Sequence, residues 1–165
     1  MDTKQYPPKR IHSQISMWKN KLILPGEVID EASSFYETKI AEVYVKYEQK
    51  LILANSLDFD DLLIKTVELF NTDEDALLFW SKKFKYIMVD EYQDTNFPQY
   101  KIIELLSREH KNICVVGDSD QSIYAFRGAD IRNIDEFDKD FSNAKTIVLD
   151  RNYRSTQKIL DAANS

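Results

Sequence analysis

Between residues 11 and 22 the apolar positions Ile11, Ile15, Trp18 and Leu22 recur at three- and four-residue steps, the spacing of one helical face. Pro25-Gly26 breaks that period. A longer helical pattern follows over residues 28–53, with Phe35, Ile40, Val43, Tyr44, Tyr47 and Leu51 as its inward stripe. Asn55-Ser56 interrupts it, and residues 57–70 are helical again, with Asp58 as the expected N-cap. A short helix is predicted over 74–82. Residues 1–9, polar and proline-bearing, read as a frayed lead-in.

The texture changes at residue 86. Tyr86-Ile87-Met88-Val89 is a short apolar run between polar residues, as expected of a strand buried on both faces. Residues 98–107 predict a helix, 113–116 a second buried strand ending at Gly117, 131–141 a helix, 146–149 a third strand, and 156–164 a last helix. Strands alternating with helices predict an α/β fold with a parallel sheet, preceded by a purely helical part.

Composition narrows the class. The 165 residues suffice for one domain, or one domain with a small satellite. At 43% hydrophobic and 30% charged, the chain reads as soluble and globular. No apolar run approaches the roughly 18 residues needed to span a bilayer, so no membrane role is expected. The opening MDTKQYPPKR lacks the apolar stretch of a signal peptide. One cysteine, Cys114, rules out an internal disulfide and a Cys-based zinc site, and a cytoplasmic setting is expected. The net charge of −6 argues against a simple DNA-coating protein. The acid excess lies after residue 56, the wrong sign for phosphate binding unless carboxylates gather around a metal ion.

Three segments carry candidate chemistry. In VDEYQDTN, residues 89–96, Asp90 and Glu91 directly follow a predicted strand, where ligands bind in open α/β sheets. One acid there can hold Mg²⁺ and its neighbour can orient or deprotonate a water. A plain polar turn explains the bare pair equally well; the extension Tyr92-Gln93-Asp94 sharpens it. In VVGDSDQSIYAFRGAD, residues 115–130, Gln121 lies just past a second strand end and can reach a terminal phosphate. Beyond it Tyr124, Phe126 and Arg127 interleave aromatic and cationic groups suited to stacking on bases, although isolated aromatics are more often core. In LDRNYRST, residues 149–156, Tyr153 can stack on a purine and Arg154 can bind phosphate bidentately. Taken alone, that segment reads as a surface arginine before a helix N-cap.

Together DEYQDTN, GDSDQSIYAFRGA and NYRST resemble the UvrD/PcrA/Rep-type branch of superfamily 1 DNA helicases, and LDFDDLL, residues 57–63, resembles another segment of the same family. The match is highly specific and covers nearly the whole chain. The resemblance implies a helical insertion subdomain over 1–56, the later portion of a RecA-like P-loop NTPase core over 57–149, and the start of a second motor core over 150–165. It implies an enzyme that uses ATP and Mg²⁺ to translocate on single-stranded DNA, 3′ to 5′, and unwind duplex DNA. Asp90 would serve the metal, and Glu91 would act as general base. Gln121 would sense the γ-phosphate. Tyr124 and Phe126 would line the single-strand path, with Arg127 beside them. Tyr153 would stack on adenine and Arg154 would contact the γ-phosphate. The family often has tryptophan where Phe126 stands; phenylalanine keeps a stacking face but loses the indole N–H.

The chain also departs from the family. It contains no G-x-x-x-x-G-K-[ST] loop, and its three glycines, Gly26, Gly117 and Gly128, cannot form one. The family's last motor motifs are missing too, so the chain reads as a central excerpt that is catalytically inactive alone. A second hypothesis is a non-catalytic DNA- or protein-binding module derived from such a helicase; a third is a related nuclease-coupled recombination helicase. In the helical part, Trp18, Lys19 and Lys21 can meet duplex DNA, but a bundle core with solvated lysines is the favoured reading.

Overall fold

The computed structural model describes residues 4–135 and 137–163, without the side chains of Glu31, Arg127 and Asp135. The first helix, α1 (Pro8–Lys19), opens on a proline, whose fixed φ suits the first helical turn and whose missing N–H costs nothing there. Asn20 closes it, donating through both its backbone N–H and its side-chain amide to Ser16 O. The predicted lead-in is anchored rather than frayed: Tyr6 is buried and stacks on Tyr36 at 5.1 Å. Residues 1–3 lie outside the described part of the chain.

The long helix expected over 28–53 is two helices. Pro25 starts α2 (Pro25–Glu31) instead of only ending α1, and the Glu27 carboxylate accepts from Leu24 N–H at 2.6 Å. Ser34 then caps α3 (Phe35–Leu53), its hydroxyl accepting from Glu37 N–H while the Glu37 carboxylate accepts from Ser33 N–H. This start signal lies inside the apolar pattern, which is why periodicity alone runs through it. The inward stripe holds at Ile40 and Tyr44, whereas Phe35, at the first turn, faces solvent.

The next helix, α4 (Asp61–Thr72), begins later than expected, with Asp60 rather than Asp58 at the N-cap position. Asp58 still serves the turn. Its carboxylate accepts from Asp61 N–H at 2.8 Å, and Asp61 accepts in return from Asp58 N–H at 3.1 Å. The short helix expected next is α5 (Glu74–Lys83), capped by the Asp73 carboxylate.

Strands β1 (Ile87–Val89) and β2 (Ile113–Val115) pair in parallel, with Met88 opposite Cys114. Helix α6 (Phe97–Ser107) links them, opened by an Asn96–Gln99 capping box. The pair forms a small parallel sheet in a mixed α/β fold. The strands are not buried on both faces as expected: Met88 and Cys114 face solvent, and only the alternate positions are partly covered.

The expected third strand is also absent. Residues 145–150 make no ladder, and Ile147, Val148 and Leu149 are exposed. An apolar run of this kind needs a neighbouring strand and covering layers, and among the described residues none lies against it. Helical turns occupy α7 (Arg132–Asp135) and α8 (Phe137–Asp140), with Glu136 between them outside the described residues. The last helix is α9 (Gln157–Ala163).

Two apolar clusters hold the chain. One gathers Tyr6, Ile11, Ile15, Val28, Ile40 and Tyr44 among α1, α2 and α3. The other gathers Val67, Phe70 and Leu105 between α4 and α6, with Leu77 and Trp80 of α5 packed against it. Trp18 belongs to the first, stacked on Tyr44 at 6.0 Å. Lys19 is not a solvated lysine: it is buried beside Glu48, Asp58 and Asp61, each within 2.8 Å of its Nζ. No helix among the described residues is long and apolar enough to cross a membrane.

Candidate nucleotide and nucleic-acid site

The carboxyl ends of the two parallel strands point the same way, so the turns that follow them lie side by side. Val116 N–H donates to Val89 O at 2.8 Å and Tyr92 N–H donates to Val116 O at 2.9 Å, extending the pairing past both strands. Asp90 and Glu91 occupy the first turn, both exposed. Asp90 Oδ1 accepts from Glu91 N–H at 3.0 Å. Glu91 has φ +49° and ψ +45°, a left-handed conformation uncommon outside glycine and one that clusters at functional sites. It leads into a 3-10 turn over Tyr92–Asp94, anchored by the fully buried Tyr92 ring edge-on to Phe137.

Gln93 joins this turn to the next. Its buried amide donates from Nε2 to Glu91 Oε2 at 2.8 Å and accepts at Oε1 from Asp118 N–H at 3.0 Å. Asp118 in turn accepts from Gln121 Nε2 at 2.6 Å. Gly117 gives the room: a Cβ there would lie 2.7 Å from Gln93 Oε1 and from Ile134 Cδ1. Three of the sequence-expected residues, Asp90, Glu91 and Gln121, are thereby brought into one connected group.

A second set of bonds runs from the acid turn to the aromatic segment. Asp130 N–H donates to Thr95 O at 3.0 Å, Asn133 Nδ2 donates to Thr95 O, and Asn96 bridges Ala129. Tyr124 and Phe126, ring centroids 5.9 Å apart, thus sit on a turn tied to the one that holds Glu91. Tyr124 is half-buried and Phe126 is exposed, so Phe126 is no core aromatic. Both line a cleft of about 1230 Å³ that is also lined by Asn20, Lys21 and Phe59. Arg127 ends the 3-10 turn Ala125–Arg127, and its side chain lies outside the described residues.

Tyr153 and Arg154 are not part of this group. Their contacts are local: the Arg151 guanidinium lies 4.9 Å from the Tyr153 ring centroid, and Arg154 N–H donates to Asn152 Oδ1. Among the described residues no hydrogen bond, ion pair or ring contact joins them to the strand-end turns.

An exposed carboxylate past a strand end is the donor that Mg²⁺ uses alongside phosphate oxygens, and Asp90 fits that requirement. Among the described residues the carboxylate cluster with metal-like spacing is a different one, Glu48, Asp58 and Asp61. Lys19 already supplies its positive charge.

Sequence reasoning assigned no role to three residues that the geometry singles out. Gln93 stands inside a quoted motif but is legible only once both of its amide bonds are seen. Asn20 follows an amphipathic helix like any C-cap residue, yet its Oδ1 accepts from Asn96 Nδ2 at 2.8 Å, 76 residues away. Phe59, 86% exposed within LDFDDLL, was hidden among helix-start acids.

Residues 1–142 match the UvrD/REP helicase N-terminal domain. The chain belongs to that family. UvrD/REP relatives include the ATP-dependent DNA helicase PcrA of Bacillus subtilis (strain 168), 49% identical over 164 residues, which are 99% of this chain and 22% of the relative. The PcrA of Leuconostoc citreum is 48% identical over 165 residues, and that of Staphylococcus epidermidis 49% identical over 164. The chain spans about a fifth of the length of the curated relatives it matches.

Proposed function

We propose that this chain works as part of an ATP-driven DNA helicase that translocates on single-stranded DNA, in the 3′ to 5′ sense, and unwinds duplex DNA. The observation that carries the reading is the direct bonding of the acid turn to the aromatic turn, through Thr95–Asp130 and Asn96–Ala129. Those bonds put the turn that carries Asp90 and Glu91 on backbone adjoining the turn that carries Tyr124 and Phe126, which supports reading the two as one coupled unit. The names of the PcrA relatives support the same activity.

In this reading residues 57–149 form the later portion of a RecA-like motor core, 1–56 a helical insertion, and 150–165 the start of a second core. Asp90 would hold Mg²⁺, which when bound would supply positive charge beside the phosphates. Glu91 orients and deprotonates the attacking water. Gln121 contacts the γ-phosphate, and doing so releases its bond to Asp118. Tyr153 and Arg154 reach the nucleotide from the second core. Tyr124 and Phe126 stack on bases of the strand in the cleft, and Arg127 is a further DNA-binding residue. The phosphate-cradling loop is not among these 165 residues, so turnover belongs to the longer polypeptide.

The test uses full-length protein carrying this chain. Glu91→Gln is expected to lower single-strand-stimulated ATP hydrolysis by about 100-fold or more while nucleotide affinity stays within about threefold. Unchanged steady-state hydrolysis in that variant would sink the assignment. Strand-stimulated hydrolysis by the 165 residues alone would overturn the claim that they are catalytically incomplete.

A further inference from the structure

We propose that Gln93 is a positioning residue that aims the Glu91 carboxylate and links it to the Gln121 turn. The proposal rests on the reading of Glu91 as the hydrolytic base. Gln93 is 1% exposed, yet both ends of its amide are engaged across two different strand ends. Its orientation is unambiguous, because the carboxylate needs the N–H end and the Asp118 N–H needs the carbonyl end. Reversing the amide would leave a buried donor facing a donor and an acceptor facing an acceptor.

Residue type matters here. A lysine or arginine at this place would set a cation against the carboxylate, whereas the neutral amide holds it by direction alone. The surroundings are shaped to the amide. Gly117 leaves space that a Cβ would close to 2.7 Å from Oε1, and the left-handed backbone at Glu91 turns its side chain back over Gln93. The Gln93 amide is buried, so its own N–H and carbonyl have no water to replace a lost partner, although Glu91 and Asp118 are themselves exposed.

The bonds form an unbroken series from Glu91 to Gln93 to Asp118 to Gln121. When Gln121 leaves the Asp118 carboxylate for a bound phosphate, one of the bonds that fix the Asp118 turn is lost while Asp118 still accepts from Asp120 N–H and Gln121 N–H, and its own N–H holds the amide that holds Glu91. Gln93 therefore carries the presence of the terminal phosphate to the group that activates water.

Two substitutions in the full-length protein separate this role from simple structural support. Gln93→Glu keeps an acceptor for Asp118 N–H but replaces the donor to Glu91 with a repelling carboxylate. Gln93→Met keeps the length and removes both bonds without adding charge. Each is expected to lower kcat for ATP hydrolysis by about 10-fold or more, within the range general-base alignment contributes, while KM for ATP stays within about threefold. The ratio of strand-stimulated to basal hydrolysis is expected to fall in both. The proposal is overturned if both variants keep kcat within twofold of the parent. It is also overturned if their kcat losses come with an equal worsening of KM and a lowered Tm, the pattern of general unfolding. Glu91→Gln run in parallel separates the two failures. If it abolishes turnover while the Gln93 variants do not, only the positioning role falls; if it leaves turnover intact, the base assignment falls first.

Discussion

Lys19 Nζ lies 2.7 Å from Asp61 Oδ1 in the interior of the chain, bonding the end of α1 to the start of α4 across 42 residues of sequence. The same ammonium donates to Asp58 and pairs with Glu48 of α3, and Tyr47 adds a hydrogen bond to Asp58 at 2.9 Å. Three elements therefore converge on one cation. Burial works against the charged lysine, but the Asp58, Asp61 and Glu48 carboxylates overcome it and hold Lys19 above the ordinary lysine range. Burial likewise pushes the Tyr47 hydroxyl up to about 12, helped by its bond to Asp58.

Removing the cation leaves carboxylates facing one another with Asp61 fully enclosed. Lys19→Met is expected to destabilise the protein by about 3–5 kcal/mol, the usual result of deleting one partner of a buried pair. Denaturant unfolding measures it, as a lower midpoint with an unchanged slope. A midpoint equal to the parent's would show that the cluster adds nothing net.

The same cluster sets an acid limit. Burial alone would raise the Asp58 carboxyl, but hydrogen bonds from Lys19, the Asp61 backbone and Tyr47 outweigh it and hold Asp58 below the usual carboxylate range. A depressed folded-state value contributes stability that is present above the unfolded value, about 3.9, and is lost as pH falls through the folded one. Lys19 has the opposite sign: its contribution is complete below about 10.4 and is lost only at more alkaline pH. Stability is expected to be flat near neutrality and to fall below about pH 4, with a shallower fall in Asp58→Asn. Equal acid slopes in parent and variant would remove Asp58 from the cause.

The motif residues at the strand ends were legible because a short apolar run followed by acids marks a strand and its functional turn together. Ion pairing was not legible. Lys19 sits on the apolar side of α1 with no local sign that Glu48, Asp58 and Asp61 will surround it, since those contacts depend on how three helices pack. Residues 146–149 show the reverse problem: their apolar pattern describes a strand, but pattern alone cannot supply the neighbouring strand and cover that a ladder needs.

Asn20 makes a further long-range tie. Its amide donates to Asp60 Oδ1 at 3.1 Å and its carbonyl accepts from Asn96, so one side chain joins α1, the start of α4 and the acid turn. Asn20→Ala is expected to cost about 1–3 kcal/mol by leaving part-buried partners unpaired. Asn20→Asp is expected to cost more at neutral pH, because a carboxylate then faces Asp60. A double-mutant cycle with Asn96→Ala measures the coupling, and strictly additive losses would show that the contact carries no energy.

Gly128 has φ +85°, and a Cβ there would lie 3.2 Å from Asn20 Cβ. Gly128→Ala is expected to strain the turn that presents Phe126, costing about 1–2 kcal/mol for the left-handed backbone alone. Thermal unfolding together with strand binding tests it. Unaltered values of both would mean that the turn adapts to the substitution.

Phe59 and Phe126 face the same cleft from different elements, 86% and 78% exposed. Stacking contributes about 1–3 kcal/mol per base, so Phe59→Ala or Phe126→Ala in full-length protein is expected to weaken single-strand binding by roughly 5- to 150-fold. Phe126→Trp is expected to retain binding, since the larger ring keeps a stacking face. Fluorescence anisotropy of a labelled oligonucleotide at several salt concentrations gives two readouts. Neither phenylalanine neutralises a phosphate, so the affinity falls while the dependence of log K on log salt keeps its slope. Unchanged affinity in both alanine variants would remove the cleft from the strand path. A reduced salt slope would mean that displaced cationic contacts, rather than lost stacking, caused the weakening.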